Sequence, residues 1–109
     1  MNNVIFYKKN IMKKKVYISG PITGLVHSIA FKNFSAAASY LRNSIKAYPV
    51  NPMSETRSCD LTWREHMQLD IVLLMKCDCI YMLKNWEKSR GAKIEHELAI
   101  GLDMPVIYQ

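Results

Sequence analysis

Two observations predict an α/β fold for this chain, with a doubly wound parallel sheet of four to five strands and helices on both faces. Short apolar, β-branched runs alternate with amphipathic segments of helical length. Such alternation is typical of parallel strands joined by right-handed helical crossovers. The chain has 109 residues, enough for one core and too few for two.

The first half of the chain contains two predicted strands with a helix between them. Residues 16–19 (VYIS) form a strand that stops at Gly20 and Pro21. Residues 47–52 form the second strand. From 30 to 46 apolar residues recur at steps of three and four, so this segment predicts a helix with one core face. That face consists of Phe31, Phe34, Ala38, Leu41 and Ile45.

The middle of the chain contains a second helix and a third strand. The polar loop 53–60 leads into a helix that begins near residue 61 and ends near residue 76. Residues 78–83 (DCIYML) form the third strand. The helix residues predicted to face the core are Trp63, Met67, Ile71 and Leu74.

The last part of the chain completes the sheet. Loop 84–91 leads into a helix over residues 91–102, and residues 104–108 form the last strand. In open parallel sheets ligands bind beyond the carboxyl ends of the strands. Loops 20–24 and 84–91 follow two such ends, so we expect the site to lie between them.

The positive charge is concentrated at the N-terminus. The net charge is +6, yet residues 1–15 contain five lysines and no acid, and the rest is nearly neutral. The chain is therefore interpreted as a basic N-terminal extension, residues 1–15, and a single domain, residues 16–109. The VIFY segment at 4–7 could add an edge strand. A nearly neutral domain makes nucleic acid the least favoured partner.

The composition also indicates the cellular compartment of the protein. No apolar run approaches the roughly 20 residues that cross a bilayer, and the N-terminus lacks the apolar region of a secretion signal. The three cysteines do not form an even disulfide framework and match no zinc pattern with the three histidines. We expect a soluble cytoplasmic protein with no membrane partner, no metal and no cofactor.

The motif SGPITG at 19–24 places two glycines around a proline directly after a strand. Gly20 and Gly24 permit backbone conformations that bring amides close to a phosphate or sugar. The spacing matches neither a dinucleotide fingerprint nor a Walker loop. The motif alone fits an ordinary turn as well as a ligand-binding loop.

The motif SRGAKIEHELAIG at 89–101 begins at a predicted helix N-terminus. Ser89 and Gly91 could present a hydroxyl and free amides to an anion. Ser89 fits equally well as a simple N-terminal cap. Glu95 lies one turn into the helix and faces the same crevice, whereas Glu97 points to solvent. We expect Glu95 at the border of a buried stripe formed by Ile94, Leu98 and Leu102.

Four further side chains are considered for the site. His66 and Asp70 are four residues apart, hence neighbours on one helix face. Asp70 lies in the apolar stretch LDIVLLM, an unfavourable environment for a carboxylate without a partner or a function. Tyr17 could lie in the core or direct its hydroxyl into the site. Trp86 could stack on a base or simply anchor its loop.

Together, YISGPITG, Asp70 ahead of the strand DCIYML, and SRGAKIEHELAIGLDMPV resemble the nucleoside 2-deoxyribosyltransferase-like superfamily over residues 16–107. Within it, the chain is similar to a small bacterial and phage family with an AGPMTG start and a W-E-x-S-x-G-A-x-x-E-H segment. The resemblance implies a flavodoxin-like sheet. It also implies a homo-oligomer, because relatives build their sites at subunit contacts.

The resemblance assigns roles to individual residues. It implies that Glu95 is the nucleophile, that Asp70 is the general acid/base toward the nucleobase, and that the Tyr17 hydroxyl lies near the sugar. Pro21 stands where the related hydrolases carry serine, so one substrate contact is expected to be missing. It places the phosphate-binding positions at Ser89, Gly91 and the backbone of Ile22, Thr23 and Gly24. With the SGPITG loop and Trp86, the expected substrate-binding residues are Ser19, Gly20, Pro21, Ile22, Thr23, Gly24, Trp86, Ser89 and Gly91.

The implied reaction is cleavage or transfer of the N-glycosidic bond of a (deoxy)nucleoside or nucleoside 5′-monophosphate through a glycosyl-glutamate intermediate. A carboxylate below the sugar can stabilise an oxocarbenium-like transition state and capture it, while an acid protonates the leaving base. Transfer to another base would make a deoxyribosyltransferase, and transfer to water an N-glycosidase. The alternative is a non-catalytic nucleotide-binding or sensing module.

Overall fold

The computed structural model describes residues 10–55 and 60–109. The VIFY segment, for which an edge strand is predicted, lies outside these residues. In chain order the elements are β1 Lys15–Ser19, α1 His27–Asn43, β2 Tyr48–Val50, α2 Pro52–Glu55, α3 Trp63–Met75, β3 Cys79–Met82, a 3-10 turn Trp86–Lys88, α4 Arg90–Gly101 and β4 Val106–Tyr108.

The four strands form one parallel sheet in the order β2-β1-β3-β4. Tyr17 of β1 is in register with Val50 of β2 and Ile80 of β3, and Met82 of β3 with Tyr108 of β4. This is a flavodoxin-like α/β arrangement, which confirms the predicted fold class. Because β1 and β3 are adjacent, their carboxyl ends lie side by side.

Helices cover both faces of the sheet, and the alternation of β1 residues shows which helix lies on which face. Successive strand residues point to opposite sides. Val16 and Ile18 pack in a core cluster with Phe34 of α1. Tyr17 packs in a second cluster with Leu74 of α3 and Ala92 of α4. The side chains of β1 that face α3 and α4 are therefore the odd-numbered ones, including Ser19.

Helix α1 differs from its prediction in position and in its core face. It begins three residues earlier, at His27, and ends at Asn43. The side chain of Phe31, predicted to be buried, is 45% exposed. The buried residues are Ala30, Phe34, Ala37, Ala38 and Leu41. Phe34, Ala38 and Leu41 were predicted to be buried, whereas Ala30 and Ala37 were not, because a pattern of large side chains overlooks small alanines in close contact with the sheet.

Helix α3 begins where its sequence signals predict. The Thr62 hydroxyl accepts a hydrogen bond from the Glu65 amide, and the Glu65 side chain accepts one from the Thr62 amide. This reciprocal capping box satisfies two backbone donors that a helix start leaves unpaired. The preceding loop contains the short helix α2 instead of the irregular chain that was predicted, and residues 56–59 lie outside the described part of the chain.

Helix α4 buries a different stripe from the one predicted. Ala92, Glu95 and Ala99 are its buried residues. Ile94 and Leu102 are 39% and 44% exposed, so the expected stripe is wrong at these two positions, whereas Leu98 is half-buried against the core. The small alanines allow the helix to pack closely on the sheet. Glu95 therefore lies at the centre of the buried face, not at its border.

Among residues 10–55 and 60–109, no helix combines the length and the apolar character needed to cross a membrane.

Candidate active site

Two hydroxyls of β1 hold the carboxylate of Glu95. The Tyr17 hydroxyl donates a 2.9 Å hydrogen bond to Oε2, and the Ser19 hydroxyl donates a 2.6 Å hydrogen bond to Oε1. Tyr17 and Ser19 are at most 1% exposed, and Glu95 is 5% exposed. A carboxylate that accepts one hydrogen bond on each oxygen is fixed in orientation.

A cavity of about 500 Å³ lies beyond the carboxyl ends of β1 and β3. Its size falls within the range of roughly 300–1,000 Å³ typical of small-molecule sites. The predicted site residues that line it are Tyr17, Ser19, Gly20, Ile22, Thr23, Asp70, Ser89, Gly91 and Glu95. The predicted Pro21, Gly24 and Trp86 lie outside this lining. The crevice between the two loops, expected from topology, thus contains both candidate carboxylates.

Asp70 reaches the cavity from α3. It is 4% exposed and belongs to the buried face of the helix together with Met67 and Leu74. His66, one turn earlier, lines the same cavity. Asp70 is therefore the second buried carboxyl group at the wall of this cavity, besides Glu95.

The start of α4 brings polar and cationic groups to the cavity. The Ser89 hydroxyl accepts a 3.2 Å hydrogen bond from the Ala92 amide, so Ser89 is the N-terminal cap of the helix and also part of the cavity wall. Lys88 and Arg90 line the cavity on either side of it. The helix dipole adds to their positive potential. This end of the cavity is suited to an anionic group.

Trp63, which was predicted to face the core, forms part of the cavity wall instead. The Arg90 guanidinium lies 4.2 Å from the centre of its ring, the geometry of a cation-π contact. Trp63, His66 and Asp70 occur at steps of three and four on α3. That spacing is the sequence signal that would have extended the predicted site beyond Asp70.

Two glycines have structural roles at the site. A Cβ at Gly20 would lie 2.7 Å from Cβ of Leu83, so glycine permits the close approach of the ends of β1 and β3. A Cβ at Gly91 would lie 3.0 Å from Sδ of Met67, where α3 and α4 meet. In both positions the missing side chain brings together elements that form the cavity wall.

Trp86 is the anchor of its loop. Its ring stacks on His96 at a centroid distance of 4.2 Å. The His96 ring shares a 2.7 Å hydrogen bond with the Tyr108 hydroxyl. Of the two roles considered for Trp86, this geometry corresponds to packing against the protein.

The two cysteines of the described residues lie away from this site. Burial raises the pKa of the Cys77 thiol to about 11 and that of the Cys79 thiol to about 12. Neither lines the cavity. Within the described ranges, no group of three or more His, Cys, Asp or Glu side chains is arranged to hold a metal ion.

The fold and the cavity together define a class: a flavodoxin-like α/β protein with two buried carboxyl groups, those of Asp70 and Glu95, beyond the carboxyl ends of its central strands. The chain belongs to the family described as a domain of unknown function (DUF4406), which matches residues 14–108. That match includes all four strands and both candidate carboxyl groups. No curated protein matches the chain.

Proposed function

We propose that the protein cleaves or transfers the N-glycosidic bond of a (deoxy)nucleoside or nucleoside 5′-monophosphate, as a member of the nucleoside 2-deoxyribosyltransferase-like superfamily. The observation that carries the proposal is the double hydrogen bond from Tyr17 and Ser19 to the buried carboxylate of Glu95 at the cavity wall. A carboxylate held in this way is oriented to attack a sugar carbon.

In the first step a Glu95 oxygen forms a bond to C1′ of the sugar while the bond from C1′ to the base nitrogen breaks. The electron pair of that bond stays with the base, and Asp70 donates a proton to the base. The transition state resembles an oxocarbenium ion, whose positive charge the Glu95 carboxylate stabilises. The products are the free base and a glycosyl ester of Glu95.

In the second step water or another base attacks C1′ and the ester bond to Glu95 breaks. Asp70, now a carboxylate, removes the proton from the incoming nucleophile, so both groups return to their starting states. The hydrogen bonds from Tyr17 and Ser19 stabilise Glu95 as a leaving carboxylate. The acceptor determines whether the protein acts as an N-glycosidase or as a transferase.

The start of α4 supports a substrate with a phosphate. Ser89 and Gly91 stand at the positive end of the helix, and Lys88 and Arg90 line the same part of the cavity. Helix N-termini bind phosphate through free amides and the helix dipole, and flanking cations strengthen that binding. We propose that the 5′-phosphate occupies this end, with the backbone of Ile22 and Thr23 closing over it.

We also propose that the chain forms a homo-oligomer, as relatives in the superfamily do. Exposed aliphatic side chains of α3 and α4 support this assembly, because apolar surface is buried at protein interfaces. They include Leu69, Val72 and Ile94, each at least 39% exposed.

A chromatographic assay for free base tests the proposed function. The full-length protein is incubated with each common 2′-deoxynucleoside and its 5′-monophosphate, with and without an added acceptor base. We expect release or exchange of base with at least one of these compounds, and we expect Glu95→Ala to bind that compound and release none. A wild-type protein that binds a nucleotide and releases no base would instead support the nucleotide-binding or sensing module.

A further inference from the structure

An aromatic cluster outside the cavity joins three elements of the fold. It consists of Trp86 in the 3-10 turn, His96 in α4 and Tyr108 in β4. The rings of Trp86 and His96 are stacked, with an interplanar angle of 28°. Tyr108 completes the cluster through its hydrogen bond to His96, and its ring lies 6.1 Å from that of Trp86. The three side chains thus connect the loop after β3 to the helix and strand that follow it.

The aromatic cluster is linked to the cavity wall through the backbone. The carbonyl of Trp86 accepts a 2.9 Å hydrogen bond from the amide of Ser89, the residue that caps α4. His96 directly follows Glu95 in the same helix. The cluster therefore holds the turn that carries Lys88 and Ser89 against the helix that carries Glu95.

The same loop is tied to the end of β4 at a second point. The Lys84 amide donates a 2.8 Å hydrogen bond to the side-chain oxygen of Gln109, and the Gln109 amide donates one to the carbonyl of Met82. Asn85 has a φ of 67°, in the left-handed region, which only a few residue types adopt at low energetic cost. The hydrogen bonds to Gln109 and the aromatic cluster together hold the loop against β4 and α4.

We propose that His96 and Tyr108 are positioning residues: through Trp86 they fix the turn over residues 88–91 relative to the carboxylate of Glu95. Neither side chain lines the cavity. Loss of the Tyr108 hydroxyl frees the His96 ring, which loosens Trp86 and with it the hydrogen bond from the Ser89 amide to the Trp86 carbonyl. The effect on a ligand rests on the proposed function, whereas the effect on the Ser89 amide does not.

Tyr108→Phe is the direct test, since it removes one hydroxyl and keeps the ring. Tyr48→Phe is the matched control, because Tyr48 lies in the opposite edge strand and is 58% exposed against 55% for Tyr108. Hydrogen exchange is followed by NMR in the full-length protein at the amides of Ser89 and Ala47. The Ala47 amide donates a 3.0 Å hydrogen bond to the Leu41 carbonyl and is the reference amide, because it lies far from the aromatic cluster in sequence.

We expect Tyr108→Phe to accelerate exchange at Ser89 by about fivefold or more, as the loss of one hydrogen bond predicts, and to leave Ala47 unchanged. His96→Phe, which keeps the stack on Trp86 and loses the hydrogen bond, should act similarly. The double variant should accelerate exchange at Ser89 no more than either single variant does. Unchanged exchange at Ser89, equal acceleration at Ser89 and Ala47, or additive effects of the two variants would overturn the inference.

Kinetics provide the second readout if the protein releases base from a 2′-deoxynucleoside 5′-monophosphate. Tyr108→Phe should then raise KM for the monophosphate by a larger factor than it lowers kcat, and Tyr48→Phe should change neither. Absence of base release from every compound, with faster exchange at Ser89, would reject the proposed function and leave the positioning role in place. A normal KM in Tyr108→Phe alongside faster exchange would overturn the link between the turn and the substrate.

Discussion

The side chains of Ser19 and Glu95 are 76 positions apart in the chain and are joined by a 2.6 Å hydrogen bond in the interior. This contact connects the end of β1 to the centre of the buried face of α4. Ser19, which was predicted to bind substrate, is therefore in direct contact with the candidate nucleophile. The catalytic geometry proposed for Glu95 therefore depends on the packing of α4 against β1.

Ser19→Ala should impair both stability and activity. Loss of the hydroxyl leaves Oε1 of Glu95 without this donor in a buried site, which costs about 1–3 kcal/mol of unfolding free energy. A less firmly oriented carboxylate should lower the rate of base release by about 100-fold. Urea unfolding and the chromatographic assay measure the two effects. Ser39→Ala, at an exposed position of α1, is the control and should change neither by much.

Gly20→Ala should destabilise the fold. The added Cβ would meet Cβ and Cδ1 of Leu83 at 2.7 Å, so the ends of β1 and β3 must separate. Overpacking of this kind costs about 1–3 kcal/mol. Gly101→Ala is the matched control, because no atom lies within 4 Å of its added Cβ and it occupies the last position of α4. Urea midpoints should fall for Gly20→Ala and stay level or rise for Gly101→Ala.

Thr62→Ala should remove the capping box of α3 and cost about 1 kcal/mol. Hydrogen bonds from the backbone and side chain of Thr62 hold the pKa of Glu65 below its usual value of 4.5. The resulting stabilisation is present above pH 4.5 and is lost as the pH falls through the lowered pKa. NMR titration should show a Glu65 pKa below 4.5 in the wild type and only part of that shift lost in Thr62→Ala, because the backbone amide of residue 62 remains a donor. An ordinary Glu65 pKa in the wild type would argue against the capping box.

Cys77 and Cys79 should react slowly with thiol reagents in the folded protein. Their pKa values are raised to about 11 and 12 from an ordinary 9.0, so almost no thiolate is present at pH 8. The burial of these protonated thiols contributes fully to the free energy of unfolding below about pH 9. That contribution is lost as the pH rises through the raised pKa values. The rate of thiol modification is measured at pH 8 in the Cys59→Ser variant, so that Cys77 and Cys79 are the cysteines that can react. Reaction as fast as in urea would contradict the burial of these thiols.

The sequence patterns predicted the parallel sheet, because apolar strand runs and the helical periodicity between them are local signals. They misplaced the buried face of α4, since hydrophobicity favours Ile94 and Leu102, whereas close packing on the sheet selects Ala92 and Ala99. Contacts between distant segments, such as Ser19 with Glu95, leave no periodic trace.

Lys88 and Arg90 were also overlooked as cavity residues. Each is a charged residue in a loop or first helical turn, the usual location of solvated side chains, and only the tertiary structure brings both to the cavity wall. The role of Trp86 was resolved in the same way, because its partners His96 and Tyr108 come from elements that follow it in the chain.

The central claim, that the Glu95 carboxylate performs the chemistry, is tested most directly by comparing base release from Glu95→Gln and Glu97→Gln. The two glutamates are two residues apart in α4, one buried and one exposed. We predict that Glu95→Gln lowers the rate of base release by about 1,000-fold or more while Glu97→Gln retains it. Equal rates in the two variants would contradict the account.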